Sequence, residues 1–324
     1  MNARSVAALL VALTLAAGCS SSPAPPPAVT VAPATVAPAG AQGITAPPPR
    51  ADEECDREAS LRPGPQPAPG AMPRGSTMAA IAERGRLVVG VDQNTYLFGF
   101  RNPSTGQLEG FDIDVAREIA RAIFGDPDRI DLKVVDARQR ESALISGQVD
   151  LVVRTYSVTC ERKRSVAFST VYFYANQRIL AAKGSGIDSA ADLADKRVCA
   201  VTGTTSLSTL FAMEPRPALV GVATWTDCLV MLQQGQVDAI STDDAVLSGL
   251  KRQDPTVEIT GPPSLAVEPY GVGINKNHDD LVRFVNGVLE QMRADGTWQR
   301  LYDRWLLGLG PSPGPPAARY QDPP

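Results

Sequence analysis

Two stretches of this chain echo one another. Gly147-Gln-Val-Asp-Leu-Val-Val153 and Gly235-Gln-Val-Asp-Ala-Ile-Ser241 each set a helix-ending glycine before an apolar strand that carries an aspartate. Around each copy, short apolar runs alternate with helical patterns. The first half reads as strands at 86–91, 130–135 and 149–154 with helices at 112–124 and 138–146 between them. The second reads as strands at 178–182, 197–201, 218–222, 237–241 and 257–260, again with helical segments between. Parallel strands need a crossover, usually helical, to connect them. The alternation therefore predicts an open, mostly parallel α/β sheet in each half. It describes two similar lobes rather than a short-period solenoid.

Local chemistry supports these elements. The 98–111 stretch reads as a hairpin turning at Asn102 to Gly106. Asp112 is placed to cap a helix whose apolar residues Ile113, Val115, Ala116, Ile119, Ala120 and Ile123 form one face. A strand at 270–274 and helices at 279–294 and 296–305 follow the second lobe.

The ends have a different composition. Arg4, the apolar run at 6–17 and Leu15-Ala-Ala-Gly-Cys19 have the pattern of an export signal. The apolar run is too short to span a bilayer. The small residues running into cysteine resemble a lipobox, so 1–19 is expected to be a lipoprotein signal with Cys19 lipidated. That would anchor the chain on the outer face of the cell membrane. Residues 20–76 are expected to form a disordered Pro/Ala-rich stalk, and 310–324 a disordered tail. A polyproline spacer of the uncharged length would reach on the order of 100 Å.

The net charge is −4 and the charges are interspersed, which argues against a nucleic-acid partner. The one histidine, His278, and the cysteine spacings build no metal cluster, so no cofactor or metal is expected. Without Cys19, four cysteines remain, an even number in an exported chain. Three pairings are possible. Cys199 in a strand and Cys228 in a nearby helix suit a staple within one lobe; Cys55–Cys160 would then pin the end of the stalk to the other.

The 149–164 stretch runs from strand through Arg154, Thr155, Ser157 and Thr159 to Glu161-Arg162, and the aromatic run Phe168-Ser-Thr-Val-Tyr-Phe-Tyr174 follows. With Leu87-Val-Val-Gly-Val-Asp92, Gly110-Phe-Asp-Ile-Asp114, Val201-Thr-Gly-Thr-Thr-Ser206, Ser241-Thr-Asp-Asp244 and Gly296-Thr-Trp-Gln-Arg-Leu-Tyr-Asp-Arg-Trp305, it resembles the bacterial solute-binding proteins for polar amino acids. The layout is most similar to actinobacterial glutamine/glutamate-binding lipoproteins. The resemblance implies a two-lobed, periplasmic-binding-protein-like type II fold, hinged on two crossover strands near 174–178 and 264–270. Lobe 1 would comprise 77–175 plus 268–309, and lobe 2 residues 176–267.

The resemblance also implies a site. Arg162, Ser157 and Thr155 would hold the ligand α-carboxylate, Arg162 through its planar fork. Thr205, with Ser206, would add donors at a helix start. Asp243 would meet the ammonium, although it could equally be a plain helix cap. Phe98, or Tyr96, would be an aromatic wall. Asp92 matches a position that faces the ligand side chain. Arg154 would neutralise Asp92, bind a ligand carboxylate, or both, and Arg178 would add positive charge. This favours aspartate or glutamate, with glutamine or asparagine next. The expected partner is an ABC permease or a membrane sensor, and the protein itself a monomer. The rival reading is a dehydratase-like enzyme on the same fold, with Glu268 as its acid.

Overall fold

The computed structural model describes residues 36–48 and 55–321; the expected signal segment and Cys19 lie outside them. Lobe 1 is built on a five-stranded sheet in the order β6 (Ile130–Val134), β2 (Leu87–Val91), β7 (Leu151–Val152), β15 (Gly273–Asn275) and β8 (Val166–Phe168). β6, β2 and β7 are parallel, and β15 runs against β7 and β8. A small antiparallel sheet of β3 (Asn94–Thr95), β4 (Gly99–Arg101) and β5 (Leu108–Glu109) stands beside it. Helices α1 (Thr77–Arg84), α2 (Phe111–Phe124), α3 (Arg140–Ile145), α4 (Cys160–Ser165), α8 (Asp279–Ala294) and α9 (Thr297–Trp305) belong to this lobe.

Lobe 2 carries a sheet ordered β1 (Gln42–Gly43), β11 (Ala218–Val222), β10 (Arg197–Val201), β12 (Ala239–Asp243), β9 (Phe173–Ala182) and β13 (Val257–Thr260). Its helices are α5 (Thr205–Phe211), α6 (Trp225–Gln233) and α7 (Asp244–Gln253). The central strands are apolar because both faces are covered. Val198, Cys199, Ala200, Ala239 and Ile240 are all fully buried. Cys199 bonds to Cys228 of α6, tying that helix to the sheet.

The lobes are joined through two antiparallel strands. The first half of β9 pairs with β14 (Ala266–Tyr270), from Phe173 opposite Tyr270 to Gln177 opposite Ala266. Its second half pairs with β12 and β13 inside lobe 2. The carboxy-terminal helices return to lobe 1. Trp298 donates to the Tyr172 carbonyl at 2.7 Å, and Trp305 to Asp114 at 2.7 Å. The aspartate-rich and tryptophan-rich motifs thus meet in one joint.

Two expectations are corrected. Helix α2 is capped by Gly110 rather than Asp112. Gly110 has φ 133°, and any Cβ there would lie 2.2 Å from the Phe98 carbonyl. The helix therefore starts on the hairpin backbone, and Asp112 turns inward. The second correction concerns the stalk and tail. Where they are described, they pack on the lobes. Ser60 bridges Tyr320 in parallel, and Arg319 pairs with Asp56 and Glu58. Asn286 donates to Ser60 Oγ and the Leu61 carbonyl while accepting from Thr170 N–H. Cys55 bonds to Cys160. Proline-rich composition shows that a segment cannot build a core; docking on a core already present needs only hydrogen-bond partners.

Candidate ligand-binding site

The site forms where the strand ends of both lobes face each other. β7 leads into Arg154 and then Thr155, whose φ of 38° is unusual for a β-branched residue. Buried Asp112 accepts from the Thr155 N–H at 2.7 Å and from the Tyr172 hydroxyl at 2.8 Å, which holds this strained turn in place. Burial pushes the Asp112 carboxyl up to about 6; the two hydrogen bonds oppose the shift and the Asp92 charge adds to it. Ser157 follows, bridged to Tyr270 of the hinge strand β14.

Thr159 caps α4 by accepting from the Arg162 N–H at 3.1 Å. The short helix then turns Arg162 inward, where it is 8% exposed. Its guanidinium donates to the Ser157 carbonyl at 2.6 Å and to the Gly203 carbonyl of lobe 2 at 3.1 Å. It also lies 4.9 Å from the Tyr156 ring centre, with Arg140 at 4.2 Å from the same ring. Arg140 donates to the same Gly203 carbonyl at 2.9 Å. Burial, then the adjacent Arg162 charge, lowers the Arg140 pKa. Two guanidiniums of lobe 1 thus hold one backbone oxygen of lobe 2, so the lobes are closed on each other.

Lobe 2 contributes the opposite wall. Thr204 caps α5, and the Thr205 hydroxyl donates to Glu268 at 2.8 Å. The Ser206 and Thr242 hydroxyls are 3.0 Å apart. Asp243 occupies the cap position of α7 but makes no side-chain capping bond. One of its oxygens accepts a short hydrogen bond from the Tyr270 hydroxyl, and the other, Oδ1, is buried without a partner. Burial, and then the Glu268 charge, drives the Asp243 carboxyl well above the usual carboxylate range. A buried acceptor with no donor is costly unless something supplies one.

A cavity joins these groups. Arg140, Arg154, Thr155, Ser157 and Arg162 line it from lobe 1; Thr204, Thr205, Ser206, Trp225, Thr242 and Asp243 line it from lobe 2. Seven of the residues singled out in the sequence therefore meet here: Arg162, Ser157, Thr155, Thr205, Ser206, Asp243 and Arg154. Two do not reach the cavity. Asp92 lies behind Arg154, paired with it at 3.0 Å, and also accepts from Thr95 and two backbone N–H groups. Phe98 is fully buried in the lobe 1 core, its ring 5.2 Å from Phe173 and 5.8 Å from Phe111. The aromatic residue on the cavity is Trp225. Arg178 also turns away, donating to the Thr260 and Gly261 carbonyls.

Sequence reasoning missed Arg140, Thr204, Trp225 and Thr242. Trp225 follows the Thr224 cap directly, and a tryptophan at the first position of a helix was a usable signal. Arg140 carried none, since an arginine in a short polar helix reads as solvated.

Two α/β lobes on a pair of crossover strands, closed over a buried polar cavity, define the class of two-lobed solute-binding proteins. Residues 87–308 match the family model of bacterial extracellular solute-binding proteins, family 3, and the chain belongs to that family. It is 38% identical to the ABC transporter glutamine-binding protein GlnH of Bacillus subtilis, over 71% of this chain and 84% of that one. It is 31% identical to the glutamate-binding protein GluB of Corynebacterium efficiens, over 70% and 80%. Among solved structures, an ancestral arginine-binding protein bound to glutamine superposes with a TM-score of 0.64 at 34% identity, covering 69% of this chain and 98% of that one. The solute receptor for L-cysteine of Neisseria gonorrhoeae gives 0.69 at 28%, covering 74% and 98%. The chain is a solute-binding protein and not an enzyme. Glu268 accepts from the Thr205 hydroxyl at 2.8 Å and is not among the residues lining the cavity.

Proposed function

We propose that the cavity binds a free polar L-amino acid and that the closed form presents it to a membrane partner, an ABC permease or a sensor. The observation that carries this is the unpartnered Asp243 Oδ1, buried in the same cavity as Arg162. A zwitterion satisfies both: its ammonium meets Asp243, and its carboxylate takes the donors that Arg162 does not spend on Ser157 and Gly203. Ser157 and Thr205 add hydroxyls, and Thr155 sits at the turn between them. Each charge then has a partner, which burial requires.

The side chain of the ligand is read from charge balance. On the cavity wall three guanidiniums face one carboxylate; behind it Asp92 offsets Arg154, and the half-exposed Glu141, 3.8 Å from Arg162, offsets a second only in part. A ligand with two carboxylates and one ammonium fits that surplus, so aspartate or glutamate is favoured. Arg154 is the residue that selects it, because its buried Nε has no partner. Glutamine or asparagine is the second reading, supported by the Arg154–Asp92 pair and by the 38% identity to a glutamine-binding relative. Cys19 would carry the lipid that holds the receptor at the membrane.

Calorimetric titration with all twenty amino acids tests this. Aspartate or glutamate should bind tightest, and a preference for apolar side chains would sink the reading. Arg162→Ala should lose about 3–5 kcal/mol of binding without unfolding the protein. Arg154→Ala should weaken acidic ligands about ten- to a hundred-fold more than amides. Equal losses for both would transfer the choice to glutamine.

A further inference from the structure

Hinge strand β14 presents two polar side chains from one face. Glu268 and Tyr270 stand two residues apart, so both point the same way. Each takes hold of a lobe 2 residue that lines the cavity. The Tyr270 hydroxyl donates to Asp243, and Glu268 accepts from the Thr205 hydroxyl at 2.8 Å. Glu268 is 4% exposed, and among the described residues no arginine or lysine pairs with it. Burying such a carboxylate costs free energy, and it forms no part of the cavity wall itself.

Its effect falls on the Thr205 hydroxyl. A hydroxyl has one hydrogen to give and two lone pairs, and a carboxylate only accepts. The Ser157 hydroxyl oxygen is the farther neighbour of Thr205, at 3.4 Å, so the nearer, charged acceptor takes the hydrogen. Thr205 is left with lone pairs alone for anything in the cavity. The Ser206 and Thr242 hydroxyls differ, because either of them can donate to the other.

Granted the amino-acid site proposed above, we propose that Glu268 is a positioning residue that fixes the Thr205 hydroxyl as an acceptor, so that the cavity reads the ligand's α-ammonium at two points, Asp243 and Thr205. An ammonium has three hydrogens and satisfies both acceptors. The hydroxyl of a 2-hydroxy acid has one hydrogen and satisfies one of them, and a 2-oxo acid satisfies neither. Glu268 therefore sharpens the choice of amino acids over other acids of the same carbon skeleton without touching the ligand.

Calorimetry on the full exported chain tests this. The tightest-binding amino acid is compared with its 2-hydroxy analogue; for L-glutamate the probe is L-2-hydroxyglutarate. Glu268→Gln offers Thr205 an amide donor and frees its hydrogen for the cavity. The preference for the amino acid should fall on the order of ten-fold. In a Thr205→Val background the same substitution should change the preference little, because the hydroxyl it positions is gone. Thermal unfolding checks that each variant folds, and Glu268→Ala serves if the glutamine variant does not. Equal losses for both ligands, or an undiminished effect of Glu268→Gln beside Val at 205, overturn the positioning role. A wild type that binds no amino acid overturns the proposed function and this role with it; a wild type that binds one, with its preference unmoved by Glu268→Gln, overturns this role alone.

Discussion

Asp112 shows how much a single residue behind the cavity can control. It touches no ligand position, yet it fixes the backbone of Thr155 and lies close to the Arg154–Asp92 pair. Its carboxyl moves from 3.8 to about 6 on folding. Between those values the folded state binds more protons than the unfolded chain, so stability falls as pH rises through that window and is level above it. The penalty is about 3 kcal/mol. Asp112→Asn should remove that slope, so denaturation curves taken from pH 4 to 7 should diverge between wild type and variant. Parallel curves would refute the assignment. Asp243 shifts in the same direction and contributes to both proteins, which the difference cancels. Residues of this kind explain the limits of sequence reading. Arg162, Ser157, Thr155, Thr205 and Asp243, which the family resemblance singled out, come together on one cavity because their motifs stand at strand ends of the two lobes. Phe98 was misplaced because an aromatic beside a hairpin can face either the cavity or the core, and only packing against Phe111, Phe173 and Tyr270 decides.

Among the elements, the alternating strands and helices were readable from hydrophobic period alone. Helix α8 spans Asp279–Ala294, the range its pattern predicts. The short elements were not. β7 covers only Leu151–Val152, because the chain leaves the sheet early to form the Thr155 turn. The start of α2 was misread for a physical reason. An aspartate after glycine looks like a cap, but the hairpin backbone already lies against Gly110. Gly110→Ala should therefore destabilise lobe 1 by about 3 kcal/mol, since it combines a clash with a disfavoured φ. Thermal unfolding measures this; a loss below about half a kilocalorie per mole would mean that the hairpin shifts freely.

For the whole molecule, one backbone oxygen takes two of the bonds that hold the lobes together. The Gly203 carbonyl receives both Arg140 and Arg162, and a Cβ on Gly203 would meet Arg138 Cγ at 2.8 Å. Gly203→Ala should leave each lobe folded while preventing full approach, lowering ligand affinity about ten-fold or more without a matching fall in melting temperature. Unaltered affinity would show that Arg138 yields. Lobe architecture was legible because it follows from the repeated α/β pattern. The collar formed by the two proline-rich ends was not, because its contacts join Asp56 to Arg319 and Ser60 to Tyr320 across almost the entire chain.

Asp243 closes β12 directly opposite Gln177 of one hinge strand, and Tyr270 of the other hinge strand bonds to it. The carboxylate therefore sits at the pivot, where both moving bodies meet. Shutting the cleft brings it into the dry interior, where the Glu268 charge adds to the cost of burial and the Asp243 Oδ1 faces the cavity with no donor. A molecule carrying its own positive charge removes that electrical objection; a molecule without one leaves it standing. Closure is thus tied to the arrival of a donor for that buried oxygen. Closing on an empty cleft would require the pivot to take up a proton from solution first, so ligand-free closure should become more frequent as the surroundings acidify.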